Sequence, residues 1–239
     1  MDYLEKYEVQ VNDFLKVCRR LSELMYVTSH GGNLATKVDK NLLLITPTKM
    51  NKAEVTVQDV VFINLSGQKV SGMRAPTGET PMYLNFFRER PDIDSVIHCH
   101  PPYTSAFAIA KGKNWLMRPI FPETTIEVGP VPVVPYAEPL TDELASKFLP
   151  YLKRYNAFLM ENHGLVMMSS DSVLRTMQLI EILETTSISI LHALSIGGVK
   201  EIPRGEVQNL DNTMKTRNLQ LVGAPGVNRS LVDVYFPEG

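Results

Sequence analysis

The chain has 239 residues, 44% of them apolar, enough to build one domain around a substantial core. A net charge of −2 and a pI near 6.2 give no basic field for nucleic acid. Two cysteines, Cys18 and Cys99, stand outside any CxxC spacing, which excludes a disulfide scaffold. A charged N-terminus without a signal core, and no apolar run long enough for a span, point to the reducing cytoplasm and no membrane.

In chain order, the spacing of Val9, Phe14, Val17, Leu21, Leu24 and Met25 predicts a helix over residues 5–27, broken by Ser29-His30-Gly31-Gly32-Asn33. Strands follow at residues 42–45, ended by Thr46-Pro47-Thr48, and at residues 60–65, ended by Ser66-Gly67-Gln68. Residues 81–90 read as a helix with Pro81 tolerated in its first turn. The β-branched run from Asp94 to His98 reads as a buried strand that stops at Pro101-Pro102, and residues 104–110 as a helix packed after it. Val131-Pro132-Val133-Val134-Pro135 is extended, its prolines suiting a sheet edge. A helix begins at Thr141, a fitting N-cap, and strands are expected at residues 157–160 and 165–168 around an Asn-His-Gly turn. Residues 172–194 form a long helix closed by Gly197-Gly198. The remainder, from about residue 199, has a weak pattern and reads as a C-terminal arm. Short strands interleaved with helices predict an α/β or α+β single domain spanning residues 1–239, one sheet covered by helices.

His98-Cys99-His100 and His163 carry the chemistry. Side chains alternate along a strand, so His98 and His100 project from one face. With His163 at the end of another strand, three imidazoles can hold one metal ion and leave a fourth position open, the layout of a catalytic zinc site. The other reading of a His-x-His pair is two ordinary, partly buried histidines. Of five histidines, three fall at strand ends beside Pro or Gly turns; His30 lies in the glycine turn and His192 in the long helix. Gly31-Gly32-Asn33, Thr46-Pro47-Thr48-Lys49 and Pro76-Thr77-Gly78-Glu79 are ordinary turns taken singly. Taken together, they offer amides, hydroxyls and a cation for a phosphate, and a carboxylate for proton transfer.

The ordered set Gly32-Asn33, Ile45-Thr46-Pro47-Thr48, Pro76-Thr77-Gly78-Glu79, His98-x-His100 and Asn162-His163-Gly164 resembles the class II aldolase/adducin family. The likeness is greatest to its zinc enzymes of the L-fuculose-1-phosphate aldolase type, and it covers residues 10–195. It implies a mainly antiparallel central sheet covered by helices. It implies that His98, His100 and His163 bind zinc, with manganese, cobalt or iron as alternatives, and that Glu79 is the catalytic acid/base. Asn33, Thr48, Lys49, Thr77 and Gly78 take the places of the phosphate-binding loops. It implies a homotetramer with active sites at subunit interfaces. The implied activity is cleavage of a short deoxyketose 1-phosphate to dihydroxyacetone phosphate and an aldehyde through an enediolate.

The sequence departs from that pattern at several points. Thr77-Gly78 replaces a serine pair, and Lys49 stands where a glycine is usual. Phe121 occupies the place of the tyrosine that serves the aldehyde oxygen; Glu123 and the tail residue Tyr235 are the candidates to replace it. The altered Phe121–Glu123 region keeps open a decarboxylase of a 3-oxo sugar-acid phosphate. A dehydratase stays possible, a 4-epimerase lacks its expected acidic segment, and an adducin-like binding module would have no use for the histidines and Glu79 in register.

Overall fold

The structure is a computed structural model and describes residues 2–237. Eight strands, β1 (Asn33–Asp39), β2 (Leu42–Ile45), β3 (Val61–Asn64), β4 (Lys69–Ser71), β5 (Ser95–Cys99), β6 (Val133–Val134), β7 (Ala157–Met160) and β8 (Gly164–Ser169), make one sheet. Their order is β4-β3-β2-β1-β5-β8-β7-β6, antiparallel except for the β6–β7 edge pair. The helices are α1 (Tyr3–Lys6), α2 (Glu8–Glu23), α3 (Thr80–Glu89), α4 (Pro102–Ile109), α5 (Pro122–Glu127), α6 (Asp142–Lys147), α7 (Leu149–Leu152), α8 (Val173–Ser195), α9 (Arg204–Thr216) and α10 (Leu231–Tyr235). This is the expected α/β domain: a mainly antiparallel sheet with helices on both faces.

The pleat explains the two cores. Leu44, Phe62, Ile97, Leu159, Leu165 and Met167 pack with α2 and α8 residues such as Phe14, Leu21, Ile180 and Leu183. Their chain neighbours Leu43, Ile45, Val61, Val96, Phe158, Val166 and Met168 turn to the other face, against Tyr83 and Phe86 of α3 and against Leu144, Phe148 and Leu152. Phe86 meets Phe148 edge to face at 4.9 Å between ring centroids. Each fully buried aromatic ring of this kind contributes about 1.5–3 kcal/mol through burial alone. A sheet covered on both faces reads as near-continuous apolar runs, which is why β2, β5, β7 and β8 are legible in sequence.

Four differences from expectation have physical reasons. The first helix is divided at Tyr7, whose backbone leaves helical geometry, and it ends early because Met25 adopts φ 58°. β1 is a central strand that its polar residues Thr36, Lys37 and Asp39 conceal; Thr36 and Lys37 bond the Asp94 carbonyl and Lys37 Nζ reaches the Pro91 carbonyl. α5 is short and was not expected. After residue 199, α9 and α10 fold on each other through Val207, Met214, Val222, Leu231, Val234 and Tyr235, a cluster too widely spaced in sequence to show a period.

Candidate metal and catalytic site

The sheet register assembles the site at one end of β1, β5 and β8. Asn33 pairs with His98 across β1–β5, and His98 pairs with Val166 across β5–β8. The β7–β8 hairpin turns through Asn162 at φ 54°, which lifts His163 back over the end of β5. One candidate ligand atom from each of His98, His100 and His163 lies within 4.8 Å of the others. His98 and His100 project together, as the pleat requires, with ring centroids 4.8 Å apart; His98 and His163 are 4.7 Å apart.

Two glycines make room for this. A Cβ on Gly32, which has φ +64°, would lie 2.4 Å from Val27 Cγ1 and 2.9 Å from the His98 carbonyl. A Cβ on Gly164 would lie 2.4 Å from His100 Cδ2 and 2.7 Å from the Cys99 carbonyl. Both positions admit only hydrogen because backbone and imidazole approach there.

The donor set fits a cation. His98 Nδ1–H donates to the Leu165 carbonyl at 2.9 Å, which fixes the tautomer and leaves the Nε2 lone pair facing the site. That Nε2 stands 3.2 Å from His100 Nε2 and 3.8 Å from Glu79 Oε2. His163 Nδ1 is buried without a hydrogen-bond partner. Burial, reinforced by the neighbouring imidazoles, pushes the pKa of His98 and of His100 down to about 3, and burial also lowers that of His163. Three neutral imidazoles converging on one point, one with an orphaned nitrogen, match what a divalent ion requires.

Glu79 is buried at the N-terminus of α3 and accepts from Asn33 Nδ2 at 2.7 Å. Tyr83 O–H donates to the Asn33 carbonyl at 2.7 Å and so braces that pair from below. The Thr46 and Thr77 loops form a short ladder: Thr77 N–H donates to the Thr46 carbonyl at 3.0 Å and Thr48 N–H to the Ala75 carbonyl at 3.0 Å. Thr77 Oγ1 accepts from Glu79 N–H at 3.3 Å and keeps its own hydrogen to donate. Thr48 is half-buried, while Gly78 and Lys49 are exposed; Lys49 holds φ 53°, the left-handed conformation a glycine adopts freely.

The remaining two candidates lie elsewhere. Tyr235 is buried in the C-terminal cluster and its hydroxyl donates to the Thr125 carbonyl at 3.3 Å. Burial pushes its pKa up, so the phenol holds its proton. Within the chain this segment is therefore packed rather than a free arm: Leu231 and Val234 anchor it. Glu123 is exposed at the start of α5, lining a groove with Phe121 and the α8 residues Gln178 and Thr185, apart from Glu79 and the histidines. Sequence reasoning also passed over Tyr83 and Lys52, which is fully buried beside the His30 loop; the run Asn51-Lys52-Ala53-Glu54 carries no signal that would have found it.

Residues 12–188 match the family described as Class II Aldolase and Adducin N-terminal domain. The chain is 33% identical over 141 residues to a 3-oxo-tetronate 4-phosphate decarboxylase of Pectobacterium atrosepticum, covering 58% of this chain and 64%, just under two thirds, of that relative. It is 30% identical over 182 residues to a 5-deoxy-D-ribulose 1-phosphate aldolase of Bacillus thuringiensis, covering 75% of this chain and 83% of the relative. Among solved structures, YgbL of Klebsiella pneumoniae, described as a candidate aldolase, epimerase or decarboxylase, superposes with a TM-score of 0.79 at 29% identity, covering 85% of this chain and 98% of that one.

Proposed function

The chain belongs to the class II aldolase and adducin family, and from that premise we propose that it is a metal-dependent lyase that breaks a carbon–carbon bond in a small phosphorylated sugar derivative. The first reaction is aldol cleavage of a short deoxyketose 1-phosphate to dihydroxyacetone phosphate and an aldehyde. The observation that carries this reading is the convergence of three neutral imidazoles with the Glu79 carboxylate, 3.8 Å from His98. His98, His100 and His163 would hold zinc, manganese or cobalt, which supplies Lewis-acid stabilisation of negative charge on oxygen.

The chain's own residues do the rest. As the bond breaks, its electron pair stays with the carbon of the phosphate-bearing half; Glu79, entering the step as the protonated acid, gives its proton to that carbon, and the hydroxyl that becomes the aldehyde gives its proton to a base, the role this reading assigns to Glu123. Asn33 holds Glu79 Oε2 at 2.7 Å, so the carboxyl is aimed before substrate arrives. Asn33, Thr48, Lys49, Thr77 and Gly78 would bind the phosphate; the ladder between the Thr46 and Thr77 loops keeps these groups at a fixed spacing. Glu79 is buried, which limits the access of water to the carboxyl that transfers the proton. A homotetramer with sites between subunits is part of this reading, and Glu123, exposed at the start of α5, is its candidate to serve the aldehyde oxygen.

A second reading, decarboxylation of a 3-oxo sugar-acid phosphate, is favoured by one observation. Aldol cleavage must take a proton from the hydroxyl that becomes the aldehyde. Phe121 has no hydroxyl, that of Tyr235 donates to the Thr125 carbonyl, and Glu123, the remaining candidate, lines a separate groove with Gln178 and Thr185. Loss of carbon dioxide needs no such base, and Glu79 would protonate the same carbon. The Pectobacterium atrosepticum relative, 33% identical to this chain, carries that activity in its name.

Metal-replete protein should be incubated with dihydroxyacetone phosphate and a panel of small aldehydes, and separately with 3-oxo sugar-acid phosphates, with products followed by mass spectrometry. A ketose phosphate that vanishes with a chelator and returns with zinc supports the aldolase. Chelator-sensitive carbon dioxide release supports the decarboxylase. Turnover of neither class removes the lyase reading.

A further inference from the structure

Lys52 is a buried charge that the chemistry above leaves unused. It caps no helix and lies in a single 3-10 turn, Lys52–Glu54, packed under α2. Its side chain is 1% exposed, among the most fully buried in the protein. Its ammonium donates to the Met50 carbonyl at 2.9 Å and the His30 carbonyl at 3.2 Å. Among the described residues it forms no ion pair. An ammonium taken out of water without a counter-ion is costly, and a methionine of similar length would fill the same space more cheaply. Packing therefore does not explain the charge.

Its surroundings do. His30 immediately precedes Gly31-Gly32-Asn33, and Met50 closes the Thr46–Lys49 loop. The two carbonyls that Lys52 binds thus belong to the two segments that carry Asn33, Thr48 and Lys49. The carboxylate whose field reaches it is Glu79, and its own positive field reaches His98 and His100. The cation stands behind the site, with no side-chain carboxylate bonded to it to cancel its field.

We propose that Lys52 is a positioning residue of the anion subsite: it ties the His30–Asn33 and Thr46–Met50 segments together and supplies, from behind them, buried positive charge that favours the substrate's phosphate. The assignment rests on the phosphate reading of these loops. Burial lowers the pKa of Lys52, and the carboxylate of Glu79 opposes that shift. The ligand class is a phosphate monoester dianion; Lys52 does not touch it.

The test is calorimetric titration of metal-replete protein with inorganic phosphate, for the wild type, Lys52→Gln and Lys52→Met. Gln keeps two donors for the carbonyls but no charge. Phosphate should bind Lys52→Gln about tenfold more weakly, the order a buried unit charge exerts at the effective dielectric of a protein. Metal stoichiometry should stay unchanged, which a general collapse of the site would not leave intact. Equal phosphate affinity in Lys52→Gln and wild type overturns the proposal. If Lys52→Met does not fold, Lys52→Gln alone carries the comparison. Failure of the wild type itself to bind phosphate overturns the phosphate reading and this inference with it.

Discussion

Replacing Gly164 by alanine tests how closely the fold fits the histidine cluster. Gly164 is not among the residues in the left-handed region, so alanine is acceptable to its backbone. The obstacle is steric alone. The new Cβ would lie 2.4 Å from His100 Cδ2 and 2.7 Å from the Cys99 carbonyl, where ordinary contact begins at 3.4 Å. The carbonyl belongs to β5 and cannot retreat without breaking the β5–β8 ladder. The His100 ring must then move by about an ångström, several times the roughly 0.2 Å tolerance of metal–ligand distances. Displacing one of three imidazoles in this way should weaken zinc binding by about 10–100-fold, the range measured when ligand orientation is disturbed. Overpacking at the same spot should cost about 1–3 kcal/mol of stability. The assay is competitive zinc titration against a chromophoric chelator, paired with urea unfolding of the metal-free protein. Gly112→Ala is the control, since a Cβ there meets nothing within 4 Å. Wild-type zinc affinity in Gly164→Ala would refute the assignment of His100 as one of the three ligands.

Other outcomes are equally specific. Glu79→Gln should keep its metal while turnover falls about 10²–10⁴-fold, the range of a lost general acid or base; unchanged turnover removes Glu79 from the proton transfer. Lys49→Ala should raise KM for a phosphorylated substrate more than for its unphosphorylated analogue, with little change in urea midpoint because alanine at φ 53° is strained as lysine is. Equal KM effects on both substrates would show that Lys49 does not meet the phosphate. Arg90→Ala should destabilise by about 3–5 kcal/mol in urea unfolding, because it strands Asp92 and the Leu152, Tyr155 and Asn156 acceptors around a 1% exposed guanidinium. A loss below about 1 kcal/mol would mean these bonds contribute little.

The parts of the fold legible in sequence are those where local pattern and tertiary environment agree. β5, β7 and β8 are apolar because both faces of the sheet are covered, and the His98–His100 pairing follows from the pleat alone. Thr141 is legible as a cap because its side chain accepts from Leu144 N–H, as such a residue does at the start of a helix. β1 was hidden because its polar residues are satisfied by distant partners, Asp94 and Pro91, that no window contains. The same holds at the site. Its turn motifs could be recognised as a set, yet the bond from Asn33 to Glu79 spans 46 residues and the bracing by Tyr83 spans 50. The packing of Tyr235 was hidden for the same reason: its tail shows no period, while three-dimensional contact with Val207, Met214 and Val222 buries it. Lys52 looks like a solvated lysine in every local respect, and only the two carbonyls turned toward it show otherwise.

The central claim is that His98, His100 and His163 form one divalent metal site. It is tested most directly by equilibrium dialysis against zinc, with metal and protein quantified, for the wild type and His163→Ala. One ion per chain in the wild type, and its loss in a His163→Ala protein that unfolds cooperatively in urea, is the predicted result. A wild type that takes up no stoichiometric metal, or a folded His163→Ala protein that retains one zinc per chain, would contradict it.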